Sequence, residues 1–406
     1  MAPERPRGAS ISEVGPLRPE LLMTPGPTLV PTEALAAQGG PSMYHRGPAF
    51  AALLEEVIEG LKYMVETDAD VLVLTGSGTG ALEAAITNCF SPGDRLLVAV
   101  NGFFGERVRD IATAFGLEVV SLEYQWGRVV RADDVASALR ADPTISGVAL
   151  QHSETSVGVI NDVEAVAKTV AMFDPRPLLM VDAVSSVGAT RIAMDEWGLD
   201  LVCGASQKSL AGSPGISFVA AGARVWDRYA TATCPRFYWD FGAHRKMQSL
   251  DSGPESPWTP AVSVLTGLAA SLRIVRRMGR DALFELHELN ARAVKTGVLA
   301  LGLELFGEDP QRAVVATAIR APTGIDGNAI PDLLRSRYGI VIGPGMGDLR
   351  GQVFRIGHIG LTSSFDVVGT IAALEMTLGD LGMDIARGDG VATCMAVYSE
   401  AGRWIR

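Results

Sequence analysis

Two residues of this sequence pair a nucleophile with an acid. Lys208 follows a short apolar run, Leu201-Val202-Cys203, and is hemmed by Gly204, Ala205 and Ser206 and by a Gly/Pro-rich stretch ending at Gly215. A lysine at the mouth of a buried strand is partly desolvated, which favours its neutral, nucleophilic form. Upstream, the apolar run Leu178-Leu179-Met180-Val181 ends on the carboxylate of Asp182. An amine and an acid ending two buried strands suit a pyridoxal phosphate site, where the lysine makes the Schiff base and the acid pairs with the pyridinium nitrogen. On these two residues alone, a strand-end ion pair explains them equally well.

Other stretches bear on the same choice. Val71-Leu72-Val73-Leu74 reads as a buried strand, followed by Thr75-Gly76-Ser77-Gly78-Thr79-Gly80 and a helix from Ala81 to Phe90. A strand, a Gly-rich loop and a helix start offer backbone N–H groups to a phosphate. The spacing is neither GxGxxG nor a Walker loop, so a lone phosphate fits better than a dinucleotide or nucleoside triphosphate. A tight strand-to-helix turn is the plainer alternative. In Asn101-Gly102-Phe103-Phe104-Gly105-Glu106-Arg107 one phenylalanine sits where a strand end opens and can stack on a flat ring; Phe104 is assigned to ordinary core packing. The loop from Gln151 to Gly158 is hydroxyl-rich. One hydroxyl there can bond a phenolic oxygen, His152 is a candidate acid or base or a backbone-satisfied loop histidine, and Glu154 a cap for the next element. Tyr44-His45-Arg46-Gly47-Pro48 is a surface turn or a loop delivered to an active site, a neighbouring subunit's included. Arg355 alternates with apolar residues in Phe354-Arg355-Ile356-Gly357-His358, and so needs an acidic partner or an anionic ligand.

The elements that must hold these residues follow from periodicity. Strands alternate with helices between about 70 and 230, which predicts an α/β fold with a largely parallel sheet covered on both faces. Residues 237–260, rich in aromatics and prolines, read as one long functional loop. Helices over 261–278, 282–301, 328–338 and 365–381, with strands over 314–320 and 354–358, form a smaller α+β unit. The expected division is a loose arm over 1–20, a large domain over 21–260, and a linking helix with a small domain over 261–406. The chain has 406 residues, 48% hydrophobic and 20% charged, enough for such a core. A formal net charge of −11 without any basic block argues against nucleic acid or an anionic membrane as partner. No apolar run approaches the roughly 18 residues of a membrane span. Cys89, Cys203, Cys234 and Cys394 form no CxxC or zinc pattern, so no metal site and a reducing, cytoplasmic setting are expected.

Taken together, the motifs resemble the class V aminotransferases of fold type I, nearest to the alanine–glyoxylate, serine–pyruvate and serine–glyoxylate group. The resemblance spans about residues 21 to 381. It rests on Pro25-Gly26-Pro27, the run from Gly76 to Ala84, the run from Asn101 to Arg107, Val181-Asp182-Ala183-Val184-Ser185-Ser186, Ser206-Gln207-Lys208, Thr259-Pro260-Ala261-Val262-Ser263 and Arg355-Ile356-Gly357. It implies a mostly parallel seven-stranded sheet and pyridoxal 5'-phosphate as cofactor. It makes Lys208 the Schiff-base lysine and Asp182 the pyridinium partner. Ser77, Gly78, Thr79 and Gln207 hold the phosphate, Phe103 stacks on the ring, and Thr155 lies near the phenolic oxygen. Thr259 reaches the cofactor of the neighbouring subunit in a homodimer with shared sites. Arg355 grips the substrate carboxylate, with Gly26 and Tyr44 beside it. The implied reaction moves an amino group from a small amino acid of the alanine or serine type to a small 2-oxo acid such as glyoxylate or pyruvate. The 237–260 loop and the N-terminal arm leave open a lyase, acting by β-elimination or decarboxylation, on the same scaffold.

Overall fold

The computed structural model describes residues 19–405, so the expected arm lies, up to residue 18, outside the described residues. Strand β1 (Leu21–Met23) opens the chain. It is followed by β2 (Asp70–Thr75), β3 (Arg95–Val100), β4 (Glu118–Glu123), β5 (Ile145–Gln151), a short ribbon of β6 (Ser153–Glu154) and β7 (Val159–Ile160), then β8 (Leu178–Asp182), β9 (Leu201–Ala205) and β10 (Ile216–Ala221). The C-terminal part adds β11 (Ala316–Arg320), β12 (Ile340–Pro344) and β13 (Val353–Gly357).

Seven strands form one sheet in the order β2-β10-β9-β8-β5-β3-β4. The pairs β3–β4, β3–β5, β5–β8 and β8–β9 are parallel, and β10 alone runs against its neighbours. Strand residues alternate between two cores because side chains point to opposite faces with a period of two. Val71, Val73, Leu179 and Val181 pack on one face with Phe50, Leu54, Leu61 and Leu268. Leu72, Leu74, Leu178 and Met180 pack on the other with Leu82, Ile86, Phe90 and Val108. With both faces covered, the strands read as unbroken apolar runs.

A second sheet, β1-β12-β13-β11, carries a separate core around Phe354, Ile356, Ile371 and Leu374. Strand β1 pairs in parallel with β12, so the N-terminal segment joins the C-terminal sheet before the chain enters the large one. The stretch 237–260 is not one loop, because Phe241–Gln248 is a helix. Asp240 caps it by accepting from the backbone N–H of Ala243, and Phe241 and His244 are buried. The helix is short and has one strongly apolar buried residue, so its periodicity is faint in the sequence.

Candidate active site

The parallel strands place their C-terminal ends together, the edge where open α/β sheets receive ligands. Asp182 is the last residue of β8, and Lys208 lies three residues past the end of its neighbour β9. Between these ends and the helix Gly78–Cys89 is a cavity of about 230 Å³. Ser77, Gly78, Thr79, Asp182, Gln207 and Lys208 all line it, so six of the residues singled out in sequence meet in one place.

Lys208 and Asp182 are not an ion pair. The Nζ of Lys208 donates to the carbonyl oxygen of Pro25 at 2.8 Å. An Asp182 carboxylate oxygen accepts from the backbone N–H of Val184 at 3.0 Å. Burial and the nearby Arg355 charge lower Lys208 to about 8, with Asp182 opposing them. Burial raises Asp182 to about 6, and the Val184 bond, Lys208 and Arg107 pull it back. Both groups are therefore held where their protonation can change near neutrality, as acid–base chemistry requires.

The helix Gly78–Cys89 begins without a side-chain cap and without an acidic residue in its first turn. Its first N–H groups face the cavity as an anion receptor. Among the described residues two buried polar atoms have no partner, Gln207 Oε1 on the cavity lining and Thr155 Oγ1, which is not part of that lining. Orphaned buried groups of this kind await a polar ligand. Free helix N–H groups, hydroxyls, an acid and a lysine match the phosphate, ring nitrogen and aldehyde of pyridoxal phosphate, so the residues present fit that group.

Arg355 projects from β13 and is only 7% exposed. Its Nε and Nη2 donate to the carbonyl oxygen of Pro344 at 3.0 and 2.9 Å, and its Nη1 donates to that of Thr155 at 3.1 Å. Among the described residues no carboxylate lies within ion-pair distance of it, which removes the structural-ion-pair explanation. A buried guanidinium that meets only neutral carbonyls has the charge and the planar fork to receive an anion. Burial lowers it to about 10, so it stays charged.

Gly26 lies directly over Lys208: a Cβ there would stand 2.6 Å from Nζ, and its φ is +122°. Thr28 anchors the same segment, its hydroxyl donating to the Lys208 carbonyl and its N–H to the Gln207 carbonyl. Phe103 does not line the cavity; Phe104 does, together with Arg107 and Ser153. Phe103 lines an outer groove with Glu106 and Asp110. Successive residues of a helix point about 100° apart, so only one of the two can face the strand ends. The choice is set by Glu154, which accepts from the N–H groups of Phe104 and Gly105 at 2.9 and 3.0 Å. Glu154 thus caps the helix Phe103–Ala114, not the element that follows it in sequence. Burial raises its carboxyl to about 7 despite those bonds and two from Ser156. His152 is lowered to about 4 by burial and meets the edge of Trp197, so it is a neutral core residue. Tyr44 is 70% exposed, Thr259 is exposed, and neither lines this cavity. Arg107 lines the cavity as well, and nothing in its spacing distinguishes it in sequence from a surface arginine.

The family model for aminotransferase class V matches residues 32–347. A protein named soluble hydrogenase, small subunit, from a Synechococcus species is 38% identical over 94% of this chain and 99% of its own length. The L-aspartate–glyoxylate aminotransferase of Paracoccus denitrificans is 36% identical over 93% of this chain and 96% of its own. The solved ureidoglycine–glyoxylate aminotransferase of Bacillus subtilis superposes with a TM-score of 0.90 at 29% identity, covering 95% of this chain and 99% of that one. By sequence and by superposition the chain belongs to the class V aminotransferases, enzymes that use pyridoxal phosphate.

Proposed function

We propose that this enzyme transfers the amino group of a small α-amino acid to glyoxylate, with pyruvate as the nearest alternative acceptor. The observation that carries this reading is the buried Arg355, bound among the described residues only by carbonyls and close enough to Lys208 for its charge to act on it. The relatives support the acceptor better than the donor. Those of Paracoccus, Arabidopsis and Bacillus share glyoxylate in their names but pair it with aspartate, serine and ureidoglycine.

The roles follow from position. Pyridoxal phosphate, when bound, supplies an aldehyde that captures the amino group and a ring that accepts the electrons of the substrate Cα–H bond. Ser77, Thr79, Gln207 and the open N–H groups of the helix at Gly78 receive the phosphate. Asp182 holds the proton of the ring nitrogen, Phe104 covers a ring face, and the Thr155 hydroxyl serves the phenolic oxygen. Arg355 fixes the substrate carboxylate and with it the direction of the Cα–H bond. Lys208, easily deprotonated, takes up and returns the proton.

We also infer a homodimer in which Tyr44 and Thr259 serve the neighbouring subunit's cavity. Their loops are tied together by the Arg46–Glu255 ion pair at 2.8 Å. Beside them Phe237, 79% exposed, and Tyr238 stack on Trp258. An exposed aromatic cluster next to a functional loop is an interface signature. Four free, buried cysteines accord with a cytoplasmic enzyme, and among the described residues no helix is long and apolar enough to cross a membrane.

The test is to incubate the purified enzyme and its cofactor with glyoxylate and aspartate, serine or alanine in turn, and to measure glycine. Glycine with at least one donor is expected; none with any donor overturns the reading. Pyruvate and ammonia released without an acceptor would establish elimination instead.

A further inference from the structure

Arg107 is a cation with no anion. It lines the cavity, and among the described residues it makes no ion pair. Its Nη1 donates to the hydroxyl of Thr79 at 3.4 Å. Its guanidinium carbon lies 4.9 Å from the ring centroid of Phe104 and 5.2 Å from that of Phe103. These contacts orient a hydroxyl and an aromatic face, but they do not neutralise the charge.

A charge count of the cavity shows what the arginine faces. The groups placed to receive the phosphate, Ser77, Thr79, Gln207 and the backbone N–H groups, are all neutral. A bound phosphate monoester brings roughly −1.5 to −2 charges, and an ionised Asp182 one more. Of the residues lining the cavity only Lys208 and Arg107 are basic. Lys208 has to give its amine to the cofactor and later to the substrate proton, so its charge comes and goes. Arg107 supplies the lasting one.

We propose that Arg107 is the fixed counter-charge and positioning residue of the cofactor cavity: it holds the Phe104 ring and the Thr79 hydroxyl in place while offsetting the negative charge shared by the phosphate and Asp182. This rests on the roles proposed above for Lys208 and Asp182. The Arg107 charge lowers both Asp182 and Lys208, as a cation close to both must.

The experiment uses the full-length holoenzyme and the variants Arg107→Met, Arg107→Gln and Arg107→Lys. Cofactor dissociation is measured by visible absorbance after dilution, and the pH profile of activity is recorded alongside. Arg107→Met and Arg107→Gln should release the cofactor about tenfold more readily, the scale of one lost charge-assisted contact. Their acid limb should move to higher pH, because Asp182 is protonated more easily without the neighbouring cation. Arg107→Lys should restore the limb but only part of the retention, since an ammonium keeps the charge and loses the planar fork. Unchanged dissociation and an unchanged limb in folded Arg107→Gln overturn the proposal; so does loss in Arg107→Lys equal to that in Arg107→Met. Should Arg107→Met not fold, Gln and Lys decide alone. Wild type that fails to retain cofactor in a Lys208-dependent way sinks the proposed function itself, a result distinct from these.

Discussion

The Nζ of Lys208 hydrogen-bonds the carbonyl oxygen of Pro25, and the next residue, Gly26, leaves no room for a Cβ beside that nitrogen. The amine is held in reserve by a segment that has to stay bare. Gly26→Ala should push the lysine from this place and strain a backbone at φ +122°, which costs on the order of 1–3 kcal/mol. The expected result is a folded protein, slightly less heat-stable, whose kcat falls roughly tenfold or more for a misplaced amine. Stopped-flow measurement of cofactor loading checks it; loading at the wild-type rate would refute the steric argument.

Arg355 gives a cleaner separation of binding from folding. Among the described residues it makes no ion pair, so its removal strands no buried carboxylate there. Arg355→Ala should raise the KM for amino acid and 2-oxo acid alike by about 30- to 1000-fold, the scale of 2–4 kcal/mol for a lost charged contact. Cofactor absorbance should survive. Titrating the holoenzyme variant with substrate and following the spectrum measures this, and unchanged affinity would remove Arg355 from the site.

Asp182 predicts two pH effects of opposite sign. Burial raises its carboxyl to about 6 in the cofactor-free cavity, and only the ionised form can hold a charged ring nitrogen. That cation pulls the carboxyl back down, so activity should fall on an acid limb below about 6, which Asp182→Asn abolishes along with most turnover. In the cofactor-free enzyme the raised value means that the folded state binds this proton more tightly than the unfolded one. That stabilisation, at most about 3 kcal/mol for two units, is fully present below about 4 and lost as pH rises through 6. Melting curves of cofactor-free wild type and Asp182→Asn between pH 4 and 7 should converge or cross accordingly; parallel curves would count against the shift.

How much could be read in the sequence depended on what each residue answers to. The strands of the large sheet were plain because both faces of β2 and β8 are buried, leaving unbroken apolar runs. Lys208, Asp182 and the Ser77–Thr79 turn were plain because strand ends fix them locally. The choice between Phe103 and Phe104 was not, because it is made by Glu154, some fifty residues away, through the backbone of the helix start. Strand β4, half exposed at the sheet edge, gave no apolar run to find. The place of β1 beside β12 is a pairing over some three hundred residues that three short residues cannot announce.

Gly357 probes that long-range closure. A Cβ there would lie 2.0 Å from the carbonyl oxygen of Thr24 and 2.5 Å from the nitrogen of Pro25, both backbone atoms that cannot swing aside. Gly357→Ala should lift the segment 24–28 off β13, and with it the partner of the Lys208 amine. Limited proteolysis should then cut near residue 25, and activity should fall with Arg355 still present. Wild-type resistance to protease would show that the segment finds another path.

Tyr44 and Thr259 do not line the cavity that contains Lys208, and the homodimer reading makes this a matter of which chain supplies which residue. Lys208→Ala homodimers should be inactive because both sites lack the amine. Homodimers carrying Tyr44→Ala and Thr259→Val should be weak because both sites lack the neighbour's contribution. Unfolded together and refolded as a mixture, half of the dimers pair one chain of each kind. Each such dimer holds one site with every residue intact, built from the Lys208 of one chain and the loops of the other. The mixture should recover about a quarter of wild-type activity, as two-fold pairing of equal chains dictates. Recovery no greater than the mean of the two parents would mean that both residues act within their own subunit or not at all.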